Sequence, residues 1–128
     1  MPQSRRTRQA PRQAPAQVRS KVWVERRGAV VISDYLAELL AAVEARGSVA
    51  SAAEALDLPY RTAWKKLREM EAAAGVKLLE SESGGADGGA TRLTPAATEM
   101  LSAFRRVGAG LSEELERRFR GDRRSFEA

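Results

Sequence analysis

A mainly α fold with a small β component is the architecture this sequence predicts. Three observations carry it. Apolar residues recur at helical spacing in four stretches, bounded by Ser, Thr or Gly at their ends. Two further runs have the β-branched or glycine-punctuated character of short strands. Between the second and third helical stretches stands only Asp57-Leu58-Pro59, the composition of a turn.

Residues 1–20 are rich in Pro, Gln, Ala and Arg and nearly free of large apolar side chains. Such a segment cannot bury enough surface to offset its ordering entropy, so it is expected to be a disordered tail. Two roles remain open for it, a solvated leader or an arm that touches phosphates. Residues 21–32, KVWVERRGAVVI, predict two strands, at 22–26 and 29–32, turning at Arg27-Gly28. Val22 and Val24 then point one way and Trp23 the other.

Ser33 supplies a capping oxygen and Asp34 suits the positive first turn of a helix over 34–46, with Leu36, Leu39, Leu40 and Val43 on its buried side. Gly47 ends it. Ser48 caps a second helix over 49–56, where Ala52, Ala53 and Leu56 form a short apolar stripe. Pro59 has no N–H to lose and is expected at the first position of a third helix, running to Ala74 before Gly75. Ala63, Trp64, Leu67, Met70 and Ala74 make its inner side.

Leu78 and Leu79 open a strand over 77–82, the loop SGGADGG follows, and 90–93 return as the second strand of a hairpin. Thr94-Pro95 starts a fourth helix that runs to residue 120. Its stripe is Met100, Leu101, Phe104, Val107, Leu111, Leu115 and Phe119. Gly108 and Gly110 each weaken it by roughly 1 kcal/mol against Ala, which predicts a bend or break near Ala109. Residues 121–128 read as a frayed tail. The expected organisation is therefore a tail over 1–20, a compact domain over 21–94, a C-terminal helix over 95–120 and a second tail.

Composition narrows the chemistry. The 128 residues contain no cysteine and no histidine, so thiolate nucleophiles, disulfides, cysteine-bound zinc and the commonest general base are all missing. No catalytic or metal-ligating set is predicted, and no cofactor. The acids of Glu69 and Glu71, or of Glu113, Glu114 and Glu116, stand among Lys and Arg at helix spacing, the pattern of solvated faces. GGADGG lacks the GK[ST] ending of a phosphate-cradling loop. No apolar run approaches the roughly 20 residues of a membrane span, and no apolar segment follows the basic N-terminus as in a signal peptide. The expected location is cytoplasmic. Of the 22 basic groups, six lie within residues 1–24, where there is no acid; the other 104 residues hold 16 basic and 17 acidic groups. Any surface for a polyanion must then come from local placement of charge.

The order strand, strand, helix, helix, turn, helix, hairpin, helix is that of a winged helix-turn-helix. The outward residues near the start of its third helix are Tyr60, Arg61, Thr62, Lys65, Lys66 and Arg68, with no acid before Glu69. Arg61 suits a guanine edge and Thr62 a thymine methyl or a phosphate. Lys65, Lys66 and Arg68 suit phosphates, which give affinity and register. Ser48 and Ser51 open the second helix with hydroxyls suited to a phosphate. The expected partner is double-stranded DNA. The plainer alternatives are a solvated basic face on an ordinary helical domain, or a winged-helix protein-interaction module whose third-helix face pairs with an acidic protein surface. Leu101, Phe104, Leu111, Leu115 and Phe119 exceed what a small domain need cover and predict a homodimer interface.

The stretch GSVASAAEALDLPYRTAW (47–64), the doubled glycines of 84–89 and RLTP (92–95) resemble the N-terminal domain of ModE-type molybdenum-dependent regulators. The G-S-x-x-x-A-A-x-x-L part is similar to LysR-type regulators as well. The resemblance spans about residues 21–107. It implies a winged helix, operator binding and a homodimer, with Ser48, Ser51, Tyr60, Arg61 and Lys65 facing DNA. The wing departs from the family: Ser81 and Ala86 stand where basic residues are usual, with Glu80, Glu82 and Asp87 nearby, so phosphate repels it except at Arg92. ModE proteins continue into molybdate-binding domains, and nothing in these residues resembles one. Molybdate sensing is not implied; molybdate-related genes stay open as targets.

Overall fold

The structure, a computed structural model, describes residues 14–82 and 89–127. Lys21–Gly108 form one compact unit, and the described residues on either side of it form another. The first unit therefore takes in the opening half of the expected C-terminal helix and ends at Gly108, beyond the boundary expected at residue 94.

Within that unit, β1 (Trp23–Arg26) pairs antiparallel with β2 (Ala29–Ser33). Arg27 and Gly28 both have positive φ, 54° and 80°, the two-residue reversal whose twist matches that of paired strands. The register shifts between Val24 and Glu25, a local irregularity with no sequence signature. Helix α1 (Asp34–Arg46) begins where the Ser33 hydroxyl accepts the Leu36 N–H at 3.3 Å. It ends at Gly47, whose φ of 82° is costly for a residue with a Cβ. Helix α2 (Val49–Ala55) is capped by Ser48, whose hydroxyl accepts the Ser51 N–H at 3.1 Å.

The corner after α2 is a Schellman closure. Leu58 N–H donates to the Ala53 carbonyl at 2.8 Å and Asp57 N–H to that of Glu54 at 3.1 Å, with Asp57 at φ 57°. Pro59 follows in extended conformation as the N-cap, one position before the helix it was expected to open. Helix α3 (Tyr60–Ala74) closes at Gly75. Strands β3 (Leu79–Ser81) and β4 (Thr91–Leu93) pair antiparallel as the wing, each shorter than expected. The tip of the predicted SGGADGG loop falls outside the described residues. Helix α4 (Pro95–Gly108) completes the unit.

The core is one cluster in which Ile32 of β2, Leu39, Leu40 and Val43 of α1, Leu67 and Met70 of α3, and Leu101 of α4 meet. Trp64, expected in this core, is half-buried and packs against its edge; Ala74 is also only half-buried. Thr94 fastens the wing to α4. Its hydroxyl donates to the Lys77 carbonyl at 2.8 Å and accepts the Ala97 N–H at 3.1 Å, and its own N–H donates to the Leu78 carbonyl.

In the second unit, α5 (Leu111–Asp122) starts at Gly110, φ 76°, so the stretch over 95–120 forms two helices, parted at Ala109-Gly110 where the two glycines led a bend or break to be expected. The expected frayed end is instead ordered: Gly121 and Asp122 continue α5, and Arg123–Phe126 form a 3-10 turn. Residues 15–20 have no regular secondary structure, and Ala16 N–H donates to Glu127 Oε2 at 2.8 Å. Residues 1–13 of the predicted disordered tail fall outside the described residues. No helix among the described residues is long and apolar enough to cross a membrane.

Candidate nucleic-acid interface

At about 100° per residue, Arg61, Lys65 and Arg68 fall within about 60° of one another around α3. Ala63, Leu67 and Met70 occupy the opposite side and are buried. The exposed stripe is therefore cationic along its first two and a half turns. Its members are held differently. Lys65 Nζ lies 3.9 Å from Glu69 Oε2, a pair so exposed that water largely screens it. The Arg68 guanidinium lies over the Trp64 ring, 4.9 Å from its centroid. Arg61 is exposed and makes no side-chain hydrogen bond, ion pair or ring contact among the described residues.

One flank of α3 carries Tyr60 and Trp64, packed edge to face with ring centroids 6.5 Å apart. Tyr60 is 48% exposed and shares an open groove of about 510 Å³ with Ser48, Ser51, Glu54 and Leu58. The structure thus brings Tyr60 beside Ser48 and Ser51, three residues singled out in the sequence. The other flank carries half-buried Thr62 and Lys66. The Lys66 ammonium lies 5.4 Å from the centroid of the Tyr35 ring, in a groove that Trp23, Val30 and Met70 also line. Lys66 is thereby turned towards α1 and away from the outward stripe.

Arg92 stands apart on the wing, 3.8 Å from Glu82 and paired in register with Glu80. Its charge is offset by the acidic strand beside it. Of the expected interface residues, Leu101 and Phe104 are 2% and 7% exposed in the core of their own unit, which removes them from any free surface. Leu111 is exposed, and Leu115 and Phe119 are half-buried within the second unit.

Two tertiary contacts that position α3 were not legible in the sequence. Arg26 of β1 donates to the Ala74 carbonyl at 2.8 Å, closing the negative end of the helix with a cation. Glu71, expected on a solvated face, accepts the N–H groups of Leu78 and Leu79 at 2.8 and 3.1 Å and so ties α3 to the wing.

Residues 36–98 match the family described as bacterial regulatory helix-turn-helix protein, lysR family. The helix-turn-helix segment of this chain is thus similar to those of LysR-type regulators. Similar proteins include the molybdenum-pterin-binding protein MopB of Rhodobacter capsulatus, 33% identical over 73% of this chain and 34% of that protein. The molybdenum transport protein ModE of Herbaspirillum seropedicae is 38% identical over 62% of this chain and 29% of its own length. The transcriptional regulator ModE of Haemophilus influenzae is 33% identical over 59% and 30%. The chain spans about a third of the length of the curated relatives it matches. A solved structure titled as the CbnR_DBD–DNA complex is similar in fold, with TM-score 0.52 and 28% identity, covering 67% of this chain and 92% of that one. The Lys21–Gly108 unit is thus built as a winged helix-turn-helix, the fold it shares with that neighbour.

Proposed function

We propose that this chain binds double-stranded DNA in a sequence-specific way, as a cytoplasmic homodimer, and regulates transcription rather than catalysing a reaction. The observation that carries the reading is the outward stripe of Arg61, Lys65 and Arg68 on α3, presented by the tight corner at Asp57. Ser48, Ser51 and Tyr60 border it and supply hydroxyls for the adjacent backbone. A similar fold solved in complex with DNA supports the same reading. Lys66 and Arg92 contribute less, because one faces Tyr35 and the other lies beside Glu82.

Homodimerisation is read from α5. Leu111, Leu115 and Phe119 follow one another at four-residue steps, and Leu111 is 38% exposed. A two-fold dimer would address two half-sites about one turn of duplex, roughly 34 Å, apart. Light scattering at micromolar concentration is expected to give a mass of twice 14.0 kDa; a monomer would count against the interface.

Fluorescence anisotropy with duplex DNA tests the principal claim. Binding should weaken steeply as salt rises, because each neutralised phosphate releases counterions. The double replacement Arg61→Ala and Lys65→Ala should weaken it at least tenfold. Titrations indistinguishable from the native chain would remove α3 from the interface.

A further inference from the structure

Resting on the DNA-binding reading, we infer that Arg61 is the guanine-reading side chain of this domain, while Lys65 and Arg68 set its register on phosphates. The argument is one of which cations are already engaged. On α3, Lys65 reaches Glu69, Arg68 stacks on Trp64, and Lys66 lies over Tyr35. Arg61 alone of the four has no such engagement among the described residues. It is the second residue of the helix, and the opening turns of a recognition helix are the part that meets base edges.

A guanidinium presents a fork of donors that matches the O6 and N7 acceptors on the major-groove edge of guanine, whereas the ammonium of a lysine is a point charge. An arginine lying over an indole has given up part of its freedom to turn into the groove. Arg68 also lies two turns further along α3, towards the rising edge of a groove, where phosphates stand. Lys65 sits between, one turn from Arg61. Its loose pair with Glu69 can exchange for a phosphate at little cost. The wing does not compete for this role: Glu80 and Glu82 surround its Arg92. The domain then reads bases chiefly through one short arc of α3, with at least one obligatory G·C pair per half-site.

Selection of bound sequences from random duplex DNA, run with the native chain and with Arg61→Ala, Arg61→Lys and Lys65→Ala, tests this. The native chain is expected to enrich one guanine column in each half-site. Arg61→Ala should lose that column, keep the others, and bind the selected site about 5- to 150-fold more weakly, the range expected for one bidentate base contact. Arg61→Lys should keep its affinity for unrelated DNA yet lose most of the guanine preference. Lys65→Ala should keep the guanine column and bind all sequences more weakly, with a salt dependence shallower by about one phosphate. A guanine column that survives Arg61→Ala overturns the assignment while leaving DNA binding intact. Absence of any duplex binding by the native chain overturns both readings.

Discussion

Asp57 occupies the left-handed region at the closure of α2, with its N–H bonded back to Glu54. Asp tolerates that region better than most residues, but a Cβ there still carries strain. Asp57→Gly is expected to stabilise the domain by about 0.5–1 kcal/mol, the strain relief net of glycine's entropy, and Asp57→Val to destabilise it by about 1–2 kcal/mol. Urea unfolding of the two variants checks both signs. Glu71 offers a second test. With both backbone amides of Leu78 and Leu79 on its carboxylate, Glu71→Ala should cost about 1.5–3 kcal/mol, read as a lower urea midpoint with an unchanged slope. At this scale the caps were legible, because Ser33, Ser48, Gly47 and Gly75 act on amides and carbonyls within a few residues of themselves. Glu71 was not, since its partners lie seven and eight residues on and reach it only once the chain has turned back. Trp64 was misplaced for a related reason: its spacing put it on the inner side, while a neighbouring arginine made the edge of the core an equally good place for its ring.

Among the elements, α4 and α5 show what periodicity leaves open. One apolar stripe ran through the predicted helix, and its spacing was the same whether it faced its own core or a second copy. The parting at Ala109-Gly110 divides the answer. Leu101 and Phe104 fill the core with α1, so Phe104→Ala is expected to cost about 3–5 kcal/mol and to lower thermal stability without a specific effect on association. Leu115→Asp should leave the melting of the Lys21–Gly108 unit unchanged and convert the proposed dimer to a monomer in light scattering. The C-terminal bounds of α1 and α3 were legible to the residue because each closes on a glycine, found with φ near 80°. The ends of β3 and β4 were not: the carbonyls of Lys77 and Leu78 go to Thr94 and so leave the strand, a competition that only the folded chain sets up.

For the whole molecule, charge placement matters more than its sum. The excess of basic groups lies before residue 25, yet the proposed binding stripe sits in the nearly balanced remainder. Lacking histidine and cysteine, the chain has none of the side chains that ordinarily change charge close to neutrality. DNA affinity is therefore expected to stay level, within about twofold, from pH 6 to 8 at constant ionic strength, which anisotropy titrations would show. Acid is different at α5. Arg118 first, and Arg117 with it, hydrogen-bond Glu114 and hold its carboxyl below the usual glutamate value. A depressed value in the folded state means the contribution is present above the unfolded value and is lost as pH falls through the folded one. Because the side chain is partly exposed at the surface, salt should mask much of it.

The N–H of Thr91 donates to the Gly47 carbonyl at 2.8 Å, which joins the returning strand of the wing to the loop between α1 and α2. A reporter attached near that strand would therefore sense displacements of the helical corner as well as its own. Since no native thiol competes for the label, a single Ala90→Cys substitution offers a unique attachment point for a fluorophore or spin probe. Its signal could follow, in real time, how the domain settles onto a duplex.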